Sequence, residues 1–275
     1  MVPATLRDGF FFESGAARLY GYFHPALGDA RRVACVLVQP FMEERKDAHA
    51  SLRELACSLA ARRVPALRFD LYGTGDSEGD WSDATLAAWL DNIHDAVALV
   101  RAEAGASEVV LAGLRFGATL AALAAPHAGV ERVALVQPVV RGEEYVREML
   151  LAHLTAEMVL HRKVGTTRET LLAELDAGRS VNLFGYHLTP AQAAAIRAVD
   201  LSRALAESTL RALVVEVCRT ETARQSPDVK AVVAALGPRG HHLRVVEPWS
   251  LVAEGKVQVT RAENVNRAIA GWLEE

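Results

Sequence analysis

The residues with the clearest chemical promise lie at 113–119, where an apolar run ends at Gly113 and passes through Leu114, Arg115, Phe116 and Gly117 into a small-residue stretch. A strand that enters Gly-x-x-x-Gly and leaves as a helix has the layout of a nucleophile elbow. The glycines permit the sharp turn and the close approach of the helix. In that layout the middle residue attacks, and here it is Arg115. A guanidinium stays protonated and has no lone pair to offer, so it cannot be the nucleophile. Two roles stay open for it. At a helix N-terminus its fork and the helix dipole both attract an anion. Alternatively it pairs with a neighbouring carboxylate and holds loops together.

Three other places bear on that choice. The loop Gln39-Pro40-Phe41-Met42-Glu43-Glu44-Arg45-Lys46 follows an apolar run, in the position that lends an oxyanion-binding N–H when an elbow is catalytic. Glu43 or Glu44 is a candidate partner for Arg115, and either one, or Asp70, is a candidate base. The run 69–81 ends a strand at Asp70 and then turns on Gly73, Gly75 and Gly79, with Asp76 and Ser77 shaping the loop by local hydrogen bonds. The third is a missing group. A Ser-His-acid triad on such a turn runs nucleophile, acid, histidine along the chain. The histidines stand at 24, 49, 94, 127, 153, 161, 187, 241 and 242. The pattern puts His241 and His242 ahead of the last strand, at its opposite end. Glu221 or Asp228 would then be an acid with no histidine to orient. Loss of nucleophile or base removes about 10⁶ of the rate in one measured serine protease, so hydrolysis by the usual machinery is not expected.

The elements that must position these residues read as short apolar runs alternating with Ala/Leu-rich stretches. Runs at 33–39, 65–70, 108–113, 132–138, 212–217 and 242–248 suit strands buried on both faces. Helical patterns cover Asp47–Arg62, Ala84–Ala102, Phe116–Ala125, Asp228–Leu236 and Glu263–Leu273. Strand and helix in alternation predict an α/β fold with a mostly parallel sheet. The opening segment 9–25 reads instead as an antiparallel hairpin turning at Ser14 and Gly15. Between 141 and 210 the alternation lapses into helical patterns at Glu143–Arg162, Thr167–Ala177 and Ala191–Ala206, with no strand expected. Residues 1–140 and 211–275 therefore read as the core, and 141–210 as a helical cap inserted over it.

Composition narrows the partners. Over 275 residues, 30 Lys and Arg against 34 Asp and Glu give a net charge of −4, which offers no basic stripe for nucleic acid. No uncharged run reaches the ~20 residues of a membrane span, and the first residues do not read as a signal peptide, so a cytoplasmic protein without membrane insertion is expected. Cys35, Cys57 and Cys218 read as buried thiols, with no metal-ligand spacing and no credible metal or nucleotide cofactor site. Sequence alone leaves the oligomeric state open, a homodimer included.

Several segments carry a resemblance to a known family: QPFMEERKD, RFDLYGTGDSEGDW, AGLRFGATLAA, ALVQPVVRGEEYVREMLLAHL and LFGYHLTP, with EVC at 216–218 and EPW at 247–249. They span most of the chain and are similar to the exosortase A system-associated hydrolases of the second type, within the α/β-hydrolase superfamily. The resemblance implies an α/β-hydrolase fold with a cap, and an Arg at the nucleophile position shared with that family. A more remote resemblance, to triad-less members of the fold such as the peptide epimerase of bottromycin biosynthesis, is one of fold alone. Three functions follow as expectations. The first is a protein that binds a small acidic or peptidic ligand between core and cap, at Arg115, Phe116, Phe41, Met42, Tyr186 and Trp249. The second is a non-hydrolytic epimerase, isomerase or lyase with Glu43, Glu44 or Asp70 as base. The third is a hydrolase with a displaced nucleophile such as Ser77 or Ser250.

Overall fold

The computed structural model describes residues 9–162, 165–247 and 262–274. Eight strands form one sheet: β1 (Gly9–Ser14), β2 (Ala17–His24), β3 (Val33–Val38), β4 (Ala66–Phe69), β5 (Glu108–Leu114), β6 (Arg132–Val136), β9 (Arg211–Cys218) and β10 (Gly240–Val246). Two more, β7 (Val181–Leu183) and β8 (Tyr186–Leu188), pair outside it. The order across the large sheet is β1-β2-β4-β3-β5-β6-β9-β10. β1 and β2 form the expected antiparallel hairpin, β2 runs antiparallel to β4, and every other pairing is parallel.

The parallel strands read as continuous apolar runs because both of their faces are covered. Ala34, Val36 and Val38 of β3 pack into one core, and Val33, Cys35 and Leu37 into the other. The second core is closed by α1 (Met42–Ala61) and α9 (Glu263–Trp272). The first is closed by α2 (Leu86–Ala104), α3 (Phe116–Ala124), α8 (Pro227–Leu236) and the segment around 141–210. β3 lies between β4, reached through α1, and β5, reached later in the chain. The direction of winding reverses there, and in open α/β sheets a ligand crevice opens at the carboxyl ends of the strands at such a switch. The residues after β3 and after β5 meet at that place.

Four expectations are corrected by the structure. The segment 141–210 is not purely helical. It holds α4 (Gly142–His161), α5 (Arg168–Asp176), the β7–β8 hairpin and then two helices, α6 (Pro190–Arg197) and α7 (Leu201–Ala206), where one was expected. The hairpin turns on Phe184 and Gly185, both at positive φ, and strands of three residues are too short to show alternation. The break between α6 and α7 falls where Asp200 leaves the helical path and caps α7, its carboxylate accepting from the Arg203 N–H at 3.0 Å. α1 begins at Met42 rather than Asp47, so Glu43 and Glu44 occupy its first turn, where the helix dipole favours acids. Cys57 is exposed, unlike Cys35 and Cys218. His241 and His242 lie inside β10, near its start, rather than before it.

Candidate functional site

The elbow is present in backbone geometry. Arg115 has φ 51° and ψ −123°, a sparsely populated conformation for a residue with a side chain, costing on the order of 1–3 kcal/mol. Its surroundings fix it there. The Arg115 N–H donates to the Val136 carbonyl at 2.9 Å, and its own carbonyl accepts from Ala118 N at 3.0 Å as α3 begins. The flanking glycines are required by close backbone approach. A Cβ on Gly117 would sit 2.4 Å from the Gln39 carbonyl oxygen, and one on Gly113 would sit 2.5 Å from the Gly117 carbonyl oxygen. The Gly-x-x-x-Gly spacing therefore records strand, turn and helix packed at backbone contact.

Onto this turn the side chain of Arg115 brings a closed ion-pair network. Nε donates to Glu44 Oε1 at 2.7 Å, and one terminal nitrogen donates to Glu148 Oε2 at 2.8 Å. The Tyr145 hydroxyl donates to the other oxygen of Glu44 at 3.0 Å, and the guanidinium carbon lies 5.7 Å from the Tyr145 ring centroid. Glu44 comes from the core helix α1, whereas Tyr145 and Glu148 come from α4, so the network joins the core to the segment over it. The two carboxylates are not equivalent. The Glu44 side chain is 14% exposed and that of Glu148 61%. Burial works against the Arg115 charge, but Glu44, the Tyr145 hydroxyl and Glu148 outweigh it and hold the group charged well above its ordinary pKa. Burial likewise raises Tyr145, with the Glu44 charge adding to it, so this hydroxyl stays protonated and donates.

The structure gives the other expected residues separate settings. Of the two adjacent acids, Glu44 is the partner of Arg115, while Glu43 turns away to Lys46, Arg147 and Arg197. Asp70 is buried and saturated: it accepts from Gln39 Nε2 at 2.8 Å, Arg45 at 2.7 Å and the Asp76 N–H at 3.0 Å. Ser77 is similarly occupied, donating to the Asp70 carbonyl at 2.6 Å and accepting from the Tyr20 N–H at 2.9 Å. The glycine-rich turn is thus held by local bonds, as its composition predicted. Phe41, Met42 and Phe116 are buried in the core. Phe41 meets Trp81, Trp89 and Phe116 at centroid distances of 5.2, 4.4 and 4.9 Å, and Phe116 stacks on Tyr145 at 5.2 Å. These rings form a floor beneath the ion pairs. Tyr186 is half-buried on the β7–β8 hairpin, with its ring 5.5 Å from Trp81. The indole N–H of Trp81 is buried and has no hydrogen-bond partner among the described residues. Trp249 and Ser250 lie outside the described residues.

Just past the last strand stands Glu247. It is buried and accepts from the Asn264 N–H at 2.7 Å, capping the first turn of α9. Seven of the nine histidines have partners elsewhere: His24 and His49 at Arg68, His94 at Asp95 and His127, His153 at Phe184, His161 at Glu157, and His242 at Glu216, while His187 lies on the β7–β8 hairpin and His241 near the start of β10. Sequence reasoning missed Glu148 and Tyr145. Their only sequence signal was a polar residue and an aromatic three apart on one helical face. Among the described residues no group of three or more His, Cys, Asp or Glu side chains could hold a metal ion, and no helix is long and apolar enough to cross a membrane.

No protein-family model matches this chain, and no curated protein matches it in sequence. Solved structures do match it in shape. Est1E of Butyrivibrio proteoclasticus, solved with ferulic acid bound, superposes with a TM-score of 0.69 over 96% of this chain and 98% of its own, at 16% identity. The enol-lactonase of Burkholderia xenovorans gives 0.61 over 97% and 100% at 17% identity. The proline iminopeptidase of Mycobacterium smegmatis gives 0.60 over 97% and 98% at 15% identity. The protein has the α/β-hydrolase fold: a mostly parallel central sheet flanked by helices, with an N-terminal antiparallel hairpin.

Proposed function

We propose that this is an α/β-hydrolase-fold protein without a Ser-His-acid triad, and that it binds a small acidic or peptidic ligand between the core and a cap formed by residues 141–210. The observation that carries the reading is Arg115 itself. It occupies the elbow conformation, yet its guanidinium is engaged by carboxylates from both sides. A ligand carboxylate has the chemistry of Glu148 and can take its place. Exchange at Glu148 is inexpensive because an exposed ion pair contributes about 0–1 kcal/mol. Exchange at Glu44 is not, because its removal would leave a mostly buried guanidinium short of a counter-charge. The unpartnered Trp81 N–H supplies a donor for a carbonyl of the same ligand. Within this reading the resemblance to the exosortase A-associated proteins is one to a non-hydrolytic branch, acting in the cytoplasm.

A proton-transfer enzyme is the second reading, with Glu44 as base and Arg115 steadying an enolate-like anion. Its support is that Glu44 lies within hydrogen-bond reach of both Arg115 and Tyr145. Thermal-shift titration with short N-acetyl peptides and their C-terminal amides tests the binding proposal. The acids are expected to raise the melting temperature and the amides are not. The Glu148→Gln variant is expected to bind the acids more tightly by about two-fold, the gain from removing an exposed competing pair worth ~0.5 kcal/mol. Equal shifts with acids and amides, or none with either, would overturn it.

A further inference from the structure

A second arginine, Arg68 of β4, sits on the other side of α1 in a different setting. His49, Arg53 and Cys57 recur every four residues along α1 and so share one face of the helix. That face meets Arg68. Arg68 Nε donates to His24 Nε2 at 3.1 Å, its terminal nitrogen lies 3.5 Å from His49 Nε2, and its guanidinium carbon lies 5.4 Å from the Tyr22 ring centroid. A guanidinium only donates, so His24 Nε2 accepts and the imidazole proton sits on Nδ1, which faces Cys57 Sγ at 3.8 Å. His24 is therefore neutral. Burial, with the charges of Arg68 and Arg53 beside it, holds its pKa down to about 4. Burial and the neighbouring arginines lower His49 too, while Asp70 opposes this.

What this cluster lacks is an anion. Among the described residues no carboxylate forms an ion pair with Arg68 or Arg53, and Asp70 is bonded to Arg45 instead. In a chain of net charge −4 many other arginines do pair with a carboxylate, Arg115, Arg141 and Arg197 among them. Arg53, His49 and Cys57 are exposed, so the cluster opens to solvent. Arg53 is close enough to act electrostatically on Arg68, His24 and His49, so two guanidiniums share this face, and guanidinium forks suit a tetrahedral oxyanion.

We propose that Arg53, Arg68 and His49 form a binding site for a compact phosphate-class oxyanion, separate from the elbow. Tyr22 lies against the Arg68 guanidinium and offers a ring to any organic group the phosphoryl carries. Calorimetric titration of the intact protein at low ionic strength, with inorganic phosphate and separately with phenyl phosphate, tests it. Saturable binding of at least one is expected. Equal affinity for the two assigns a free ion, and tighter phenyl phosphate assigns a phosphoryl group on a larger molecule. Arg53→Gln removes an exposed side chain with no ion pair among the described residues, so it should leave the melting temperature unchanged and weaken binding about ten-fold or more. Arg68→Gln tests the centre of the site.

Cys57 gives a second readout that does not depend on affinity. Alkylation of this exposed thiol by iodoacetate, an anion, should be accelerated relative to neutral iodoacetamide and slowed by inorganic phosphate, and both effects should fade in Arg53→Gln. No saturable binding to the wild-type protein, or binding and alkylation ratios that Arg53→Gln leaves unchanged, would overturn the proposal.

Discussion

Arg115 and Arg68 are both reached from α1, yet the fold satisfies them in opposite ways. Arg115 is held by two carboxylates and a protonated phenol at the carboxyl ends of the strands, where open α/β sheets bind their ligands. Arg68 is held by two imidazoles and a tyrosine ring on the flank of the sheet. The first setting is electrostatically closed, with one positive group facing two negative ones. The second is open, with cations and no counter-ion among the described residues. Occupying the elbow does not by itself make a reactive site. Here the elbow's backbone strain is retained while its side chain forms a latch between α1 and α4.

The strongest way to break this contrast is to remove the carboxylate on the buried side of Arg115. Glu44→Gln leaves the guanidinium with only the exposed Glu148, and a loss of about 3 kcal/mol is expected. In a domain of this size that is a fall in melting temperature on the order of 6 °C, read by calorimetry or circular dichroism.

Acid sharpens the other half of the comparison. His24 has a folded pKa of about 4 against its ordinary 6.5, so between those values the unfolded chain binds more protons than the folded one. The cost of keeping this imidazole neutral is absent above pH 6.5, grows as the pH falls through that value, and levels off below about 4. The slope cannot exceed ~1.4 kcal/mol per pH unit for one proton. Urea denaturation across this window should show stability declining toward acid, and His24→Gln should flatten that decline.

Smaller effects follow from the exposed partner. Glu148→Gln should shift stability by no more than ~0.5 kcal/mol, since its side chain is mostly in water. A loss as large as that of Glu44→Gln would mean the two carboxylates are equivalent and that neither yields to a ligand. The smallest expected effect is on ester hydrolysis. Arg115→Ser installs a hydroxyl at the elbow but no base, so turnover of p-nitrophenyl esters should stay at the background rate.

Much of this was legible before any coordinates. The strands of the parallel sheet announced themselves because burial on both faces removes polar residues, leaving runs such as Val33–Val38 with no alternation. Arg115 was legible because Gly113 and Gly117 record a backbone contact that admits no Cβ. The β7–β8 hairpin was not, because three-residue strands carry no period. The start of α1 was missed because Glu43, Glu44, Arg45 and Lys46 look like a solvated charge run. Only the fold shows that they diverge, to Arg197, Arg115, Asp70 and Glu43 respectively. Glu148 and Tyr145 were invisible as site residues for a similar reason. Their contact with Arg115 spans some 30 residues and depends on how α4 docks across the sheet.

An elbow closed by ion pairs, with no displaced nucleophile in its place, offers no reactive hydroxyl. Intact-mass spectrometry after exposure to a broad fluorophosphonate, with a denatured control, tests this directly. No adduct is expected on the folded protein. A stoichiometric adduct that forms only on the folded protein would contradict it, and peptide mapping would then identify the serine, threonine or tyrosine that reacts.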